Sequence, residues 1–148
     1  MFKQSLLLIL ALVAITAIIS FSGNLMALKA LPSSYDSGLT LDAAFKDKST
    51  PVLVEFYTDS CRSCQILTPM LHGVMQETRF KNHLRWVMVN AEDANNAPFV
   101  NLFGVDSVPT VVVFDFSRMK KHPIPLEALE SPQEIQTTLS GFMRNRDT

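Results

Sequence analysis

Cys61 and Cys64 are the only thiols in the chain, and they stand three positions apart in EFYTDSCRSCQ, just after an apolar run that carries one acid, Glu55. A pair at this spacing suits a redox couple, half of a metal site, or two packed core residues. The flanking pattern favours redox chemistry. PVLVEFYT is β-rich and almost continuously apolar, as a strand covered on both faces would be. Beyond it Ile66, Leu67, Met70, Leu71, Val74 and Met75 recur at spacings of three and four, which predicts an amphipathic helix over about 62–81, kinked where Pro69 lacks its N–H. The pair therefore opens a helix. There, unpaired N–H groups and the positive dipole end stabilise a thiolate on Cys61, the better nucleophile. Cys64, one turn later, is placed to attack a mixed disulfide formed at Cys61, releasing the reduced client and closing the internal disulfide. The reverse sequence oxidises a dithiol.

The elements that must hold this pair follow from the rest of the pattern. LTLDAAFKDKS reads as a short helix burying Leu41, Ala44 and Phe45, with Thr40 or Asp42 near its start. LRWVMVNAED reads as a second buried strand, NAPFVNLFGV as a short helix ending at Gly104, and PTVVVFDF as a third strand. SRMKKHPIPLEAL is ambiguous, and Pro123 and Pro125 restrict any strand there to an edge. In SPQEIQTTLSGFM, Ser131, Pro132 and Glu134 start a last helix that buries Ile135, Leu139, Phe142 and Met143.

At 148 residues and 47% hydrophobic composition the chain has room for one domain and a short appendage. Thirteen basic and 14 acidic residues leave a net charge of -1 without long blocks, and Lys120-Lys121 is a single doublet, so nucleic acid is excluded as a partner. The appendage is residues 1–30. Lys3 is followed by no charge until Lys29, and Thr16 is the only polar residue over 6–19. Such a segment is an export signal or a membrane anchor. Ser20 and Ser22 suit a cleavage site, but Ala27 and Ala30 each have leucine two residues earlier, and the apolar extension through Leu28 favours an uncleaved single helix. The alternative is secretion after cleavage. Lys3 would stay on the cytoplasmic side, placing the domain in a periplasm, lumen or exterior. LPSSYDSG, residues 31–38, reads as a linker and 39–148 as the domain.

VLVEFYTDSCRSCQILTPML, WVMVNAED and NLFGVDSVPTVVVF together resemble the thioredoxin superfamily over about residues 39–145. The resemblance implies an α/β fold of three layers, a central mixed sheet flanked by helices, and a thiol-disulfide oxidoreductase using a redox-active Cys61–Cys64 disulfide on protein substrates, with no cofactor. It also implies that Pro109 is cis and lies against the cysteines, that the backbone at Val108 pairs with an extended substrate, and that Glu55 is the buried acid that relays a proton from Cys64. The sequence departs from the family at Ser60, at Arg62 and Ser63 between the cysteines, at Gln65, at Met88 and, near the last helix, at Glu127. Arg62 and Ser63 alter the surface that meets the substrate. Arg62 adds a cation favouring the thiolate, and Met88 leaves Glu55 without a lysine partner.

With the apolar N-terminus, VEFYTDSC and VMVN resemble the membrane-anchored thioredoxin-like proteins of cyanobacteria and thylakoids, which are linked to lumenal thiol reduction and cytochrome assembly. That subgroup implies a membrane electron donor. Two rivals remain. A non-catalytic client-binding or assembly factor would use the fold alone. A dimer could pool two cysteine pairs around zinc, whereas one chain offers a single pair with His72, His83 and His122 apart from one another, and His72 on a polar helix face.

Overall fold

Val52–Tyr57 (β1) is buried at all six positions, the fate of an apolar run with hydrogen-bonded neighbours on both sides. It pairs in parallel with Arg85–Asn90 (β2) and antiparallel with Thr110–Asp115 (β3), which pairs antiparallel with Lys120–Ile124 (β4). The mixed sheet runs in the order β2-β1-β3-β4. This is a computed structural model, and it describes residues 31–146; the signal or anchor helix expected over 1–30 lies outside them. Among the described residues no helix is long and apolar enough to cross a membrane.

Alternation along β1 sends side chains to two separate cores. Leu53 faces Leu67, Leu71 and Val74 of Arg62–Met75 (α2) together with Ile135 and Leu139 of Pro132–Arg146 (α5). Val52, Val54 and Phe56 face Leu41 and Ala44 of Leu41–Lys46 (α1) and Phe103 of Ala97–Phe103 (α4). The result is three layers. Phe45 sits among Phe99, Phe103, Phe114 and Phe116, with ring centroids 5.3–6.4 Å away. Thr40 caps α1 by accepting from the Ala43 amide at 3.1 Å, and Gly104 ends α4 at φ 68°, where a side chain would be strained.

Two expectations change, and one ambiguity resolves as the prolines required. The helix predicted to run to residue 81 ends at Met75, and Thr78–Lys81 (α3) is a separate turn. The break is at Glu77, whose extended backbone (ψ 136°) lets its carbonyl start the new turn while its carboxylate meets Arg79 and Gln136. Periodicity continued through the break because Phe80 is again buried. The ambiguous stretch after Phe116 forms β4, an edge strand in which Pro123 lies opposite Val112. The segment read as a linker carries a 3₁₀ turn, Pro32–Tyr35, with Pro32 buried and the Ser33 amide bonded to the Asp59 carboxylate at 3.1 Å.

Arg85 fastens β2 to the end of α1. Its guanidinium donates to the carbonyls of Ala44 (3.0 Å), Thr50 (2.8 Å) and Asp47, and to the Asp47 carboxylate (3.2 Å). Arg85→Met keeps the apolar stem and removes these bonds. It is expected to destabilise the domain by about 2 kcal/mol, seen as a lower urea midpoint at constant m-value; an unchanged midpoint would mean that water serves the carbonyls equally well.

Candidate active site

Cys61 is the N-cap of α2. Its backbone is extended (φ -74°, ψ 107°), its Sγ accepts from the Cys64 amide at 3.1 Å, and its carbonyl accepts from Gln65 N at 3.1 Å. A sulfur in this place sits on the unpaired N–H groups of the first helical turn, which would hold it as a thiolate once reduced. Cys61 and Cys64 are joined as a disulfide with Cα atoms 5.2 Å apart. The two sulfurs are unequal. Cys61 is half-buried, whereas Cys64 is fully buried against Tyr57 and Met88, with Tyr35, Trp86 and Val108 around them. An incoming client therefore meets Cys61 first.

Arg62 and Ser63 are exposed. The side chain of Gln65 turns back to the Asp59 carbonyl at 2.8 Å, bracing the loop that leads into Cys61. Val108–Pro109 is a cis peptide bond. Val108 packs against the cluster that contains Cys64, while Pro109 and Ser63 line an open groove of about 420 Å³ with Ile66, Met70, Leu126 and Leu129. The sequence reading missed the last two residues. Glu127, the departure from the family near the last helix, stands exposed on the 3₁₀ turn Leu126–Leu129, and its neighbouring leucines rather than its own side chain form the lining.

Glu55 is wholly buried and lies opposite Met88 in the β1–β2 register, so no cation pairs with it. Its Oε1 accepts from the Thr68 hydroxyl at 2.6 Å. Thr68 follows Cys64 by one helical turn, which places the acid on the α2 side of the sheet, one turn of helix along from Cys64. Burial pushes the Glu55 carboxyl up to about 7, opposed by the Thr68 hydroxyl and the Trp86 indole. Glu55 Oε2 and Trp86 Nε1 nonetheless both lack a hydrogen bond. The indole acts as a nearby dipole rather than a bonded donor, and among the described residues Thr68 is the carboxyl's one direct partner. Thr68 had a signal in the sequence, a hydroxyl four residues after Cys64 on the helix face that is otherwise apolar.

Tyr57 reinforces the apolar character of this region, since burial, and then the charges of Asp36, Asp59 and Glu55, push its hydroxyl up to about 12. His72 lies half-buried on α2, with its Nε2 3.4 Å from Gln76 Nε2 on the exposed side and aromatic rings against it on the other. The Pro32–Tyr35 turn brings Tyr35 onto it, and its ring lies 5.2 Å from Tyr35 and 5.9 Å from Trp86. Among the described residues no three His, Cys, Asp or Glu side chains converge as metal ligands do.

A family model described as thioredoxin matches residues 36–138. Among similar proteins, a thioredoxin of Rickettsia conorii is 28% identical over 95 residues, covering 62% of this chain and 87% of that protein. A chloroplastic M-type thioredoxin of Chlamydomonas reinhardtii is 31% identical over 83 residues, 53% of this chain and 56% of its own length. In fold, a mutant thioredoxin from Halobacterium salinarum matches with a TM-score of 0.54 at 20% identity, over 76% of this chain and 94% of that one.

Proposed function

Because the chain belongs to the thioredoxin family and is a thiol-disulfide oxidoreductase, we propose that it works as a tethered reductase of protein disulfides outside the cytoplasm, with cytochrome maturation among its uses. The observation that carries the reductive direction is the company of Cys61. Among the described residues Arg62 is its one neighbouring cation and is exposed, whereas the Asp59 carboxylate lies two residues upstream and Glu92 accepts from the adjacent Ser60 hydroxyl at 3.5 Å. Negative neighbours raise the energy of a thiolate and so favour the disulfide form of this couple, which makes the dithiol a better electron donor. Arg62 alone would act in the opposite sense.

In this reading Cys61 attacks, Cys64 resolves, and Glu55 takes the proton of the Cys64 thiol. Val108 and Pro109 offer backbone to the client, and Arg62, Ser63 and the leucine-walled groove meet its side chains. Tethering draws its support from the uncharged stretch between Lys3 and Lys29, and a membrane protein passing electrons from the cytosolic side would then be the donor. The experiment is the reduction potential of the full-length chain in detergent, equilibrated against glutathione, with carbonate extraction of native membranes alongside. A value near about -270 mV is expected; one near about -120 mV would make the protein an oxidant instead. Release by carbonate would remove the tether and leave a secreted reductase.

A further inference from the structure

The topology sorts the charges of the molecule by sign. The ends of β1, β2 and β4 and the start of β3 form one rim of the sheet, which holds Cys61 and Pro109. Around it stand Asp59, Glu92 beside Ser60, Asp106 two residues before Val108, and Glu127 and Glu130 on the turn that walls the groove. Glu92, Asp106, Glu127 and Glu130 are exposed, and among the described residues none of the five is in an ion pair. Arg62 is the one cation there. Every other lysine and arginine of the described residues lies towards the opposite rim, in segments 46–48, 79–85 and 118–121 and at 144 and 146 near the end of α5. At that rim Glu77, Asp47 and Asp115 are each paired, with Arg79, Arg85 and Arg118.

We propose that this carboxylate rim selects clients whose disulfide is flanked by lysine or arginine, an inference that rests on the oxidoreductase reading of the same site. The unpaired carboxylates share the rim of the sheet with the group through which a client must be approached, so their field acts on the encounter itself. A cationic segment is drawn to Cys61, and an acidic one meets a surplus of like charge that Arg62 alone offsets. The chemistry is unchanged by this preference. The Cys61 thiolate attacks one client sulfur and expels the other as a thiolate; the Cys64 thiolate then attacks the Cys61 sulfur, expelling the second client thiolate and closing the Cys61–Cys64 disulfide. Two electrons pass from the protein dithiol to the client, and the released thiolates take up protons from solvent and from the thiols.

The test uses the pre-reduced full-length protein and two cystine-bridged peptides that differ only in lysine or glutamate beside the cysteines. Single-turnover reduction is followed by acid quench and mass spectrometry. At ~10 mM salt the lysine peptide is expected to react about tenfold faster or more, and at ~0.5 M salt, where the screening length falls below about 5 Å, the two rates should converge. The triple variant Glu92→Lys, Asp106→Lys, Glu127→Lys is expected to reverse the order at low salt. Equal rates at low salt, or faster reduction of the glutamate peptide, would overturn charge selection and leave the oxidoreductase standing. Failure to reduce either peptide would remove the catalytic reading, and this inference with it.

Discussion

Cys61→Ser is expected to lower disulfide-reductase turnover by at least about 10³-fold while leaving the domain folded. Serine keeps the cap, because its oxygen accepts from the Cys64 amide as the sulfur does at 3.1 Å, so the loss falls on chemistry. A hydroxyl at this position has no accessible anion and forms no mixed disulfide. Cys64→Ala separates the two halves of the reaction. Alanine is preferable to serine there, since Cys64 is fully buried among Tyr57 and Met88, and an unpartnered hydroxyl costs about 1–3 kcal/mol. Attack by Cys61 should survive, with the client left covalently attached and visible on non-reducing gels. Retention of full cellular function by Cys61→Ser, with no trapped client in Cys64→Ala, would instead favour a role in client binding or assembly without catalysis.

Glu55→Gln should make the protein more stable at alkaline pH and slower at the resolving step. In the folded protein the carboxyl titrates near about 7, against an ordinary value of 4.5. A carboxyl raised in this way adds stability that is complete below about pH 4.5 and is lost as pH rises through about 7, because the folded state must then hold a buried charge. The difference corresponds to about 3 kcal/mol between the two ends of that window. Glutamine keeps an oxygen for Thr68 and carries no charge, so the variant's stability should be nearly flat over the same range. At pH 8 it should exceed the parent by about 2 kcal/mol, the remainder being offset by an amide N–H₂ that faces the unpartnered Trp86 indole. Chemical denaturation at pH 5 and pH 8 measures both. In activity, loss of the proton acceptor should slow release from the mixed disulfide by about 10²-fold above pH 7 and erase the inflection near that pH. An unaltered pH profile would reduce Glu55 to a structural role.

The cysteine pair, its buried strand and the following helix were legible because each rests on local pattern, a period of two or three to four residues and a cap at its end. Pro109 and Val108 were legible only through resemblance, since nothing local distinguishes SVPT from any other proline loop. Other features arise where distant segments meet. The sequence gives no warning that Glu77 will end one helix and start another, because Phe80 preserves the apolar spacing across the break. Tyr35 and His72 are 37 positions apart and meet where the Pro32–Tyr35 turn, with Pro32 buried and Ser33 bonded to Asp59, brings Tyr35 onto α2. Charge shows the limit most clearly. Along the chain acids and bases fall in short runs that nearly cancel, and only the folding of β2, β3 and β4 side by side with β1 carries successive runs to opposite ends.

That separation also governs how copies of the protein meet one another. Two molecules approaching cysteine to cysteine bring carboxylate against carboxylate, so accidental oxidation into a Cys61-linked dimer is opposed before the sulfurs touch. Approach of one molecule's acidic end to another's basic end is favoured instead, and it buries no thiol in a covalent bond. At low ionic strength the solution should therefore behave as a suspension of mutually attracting dipoles, with light scattering that falls as salt is added, while the dithiol of each copy stays available to clients.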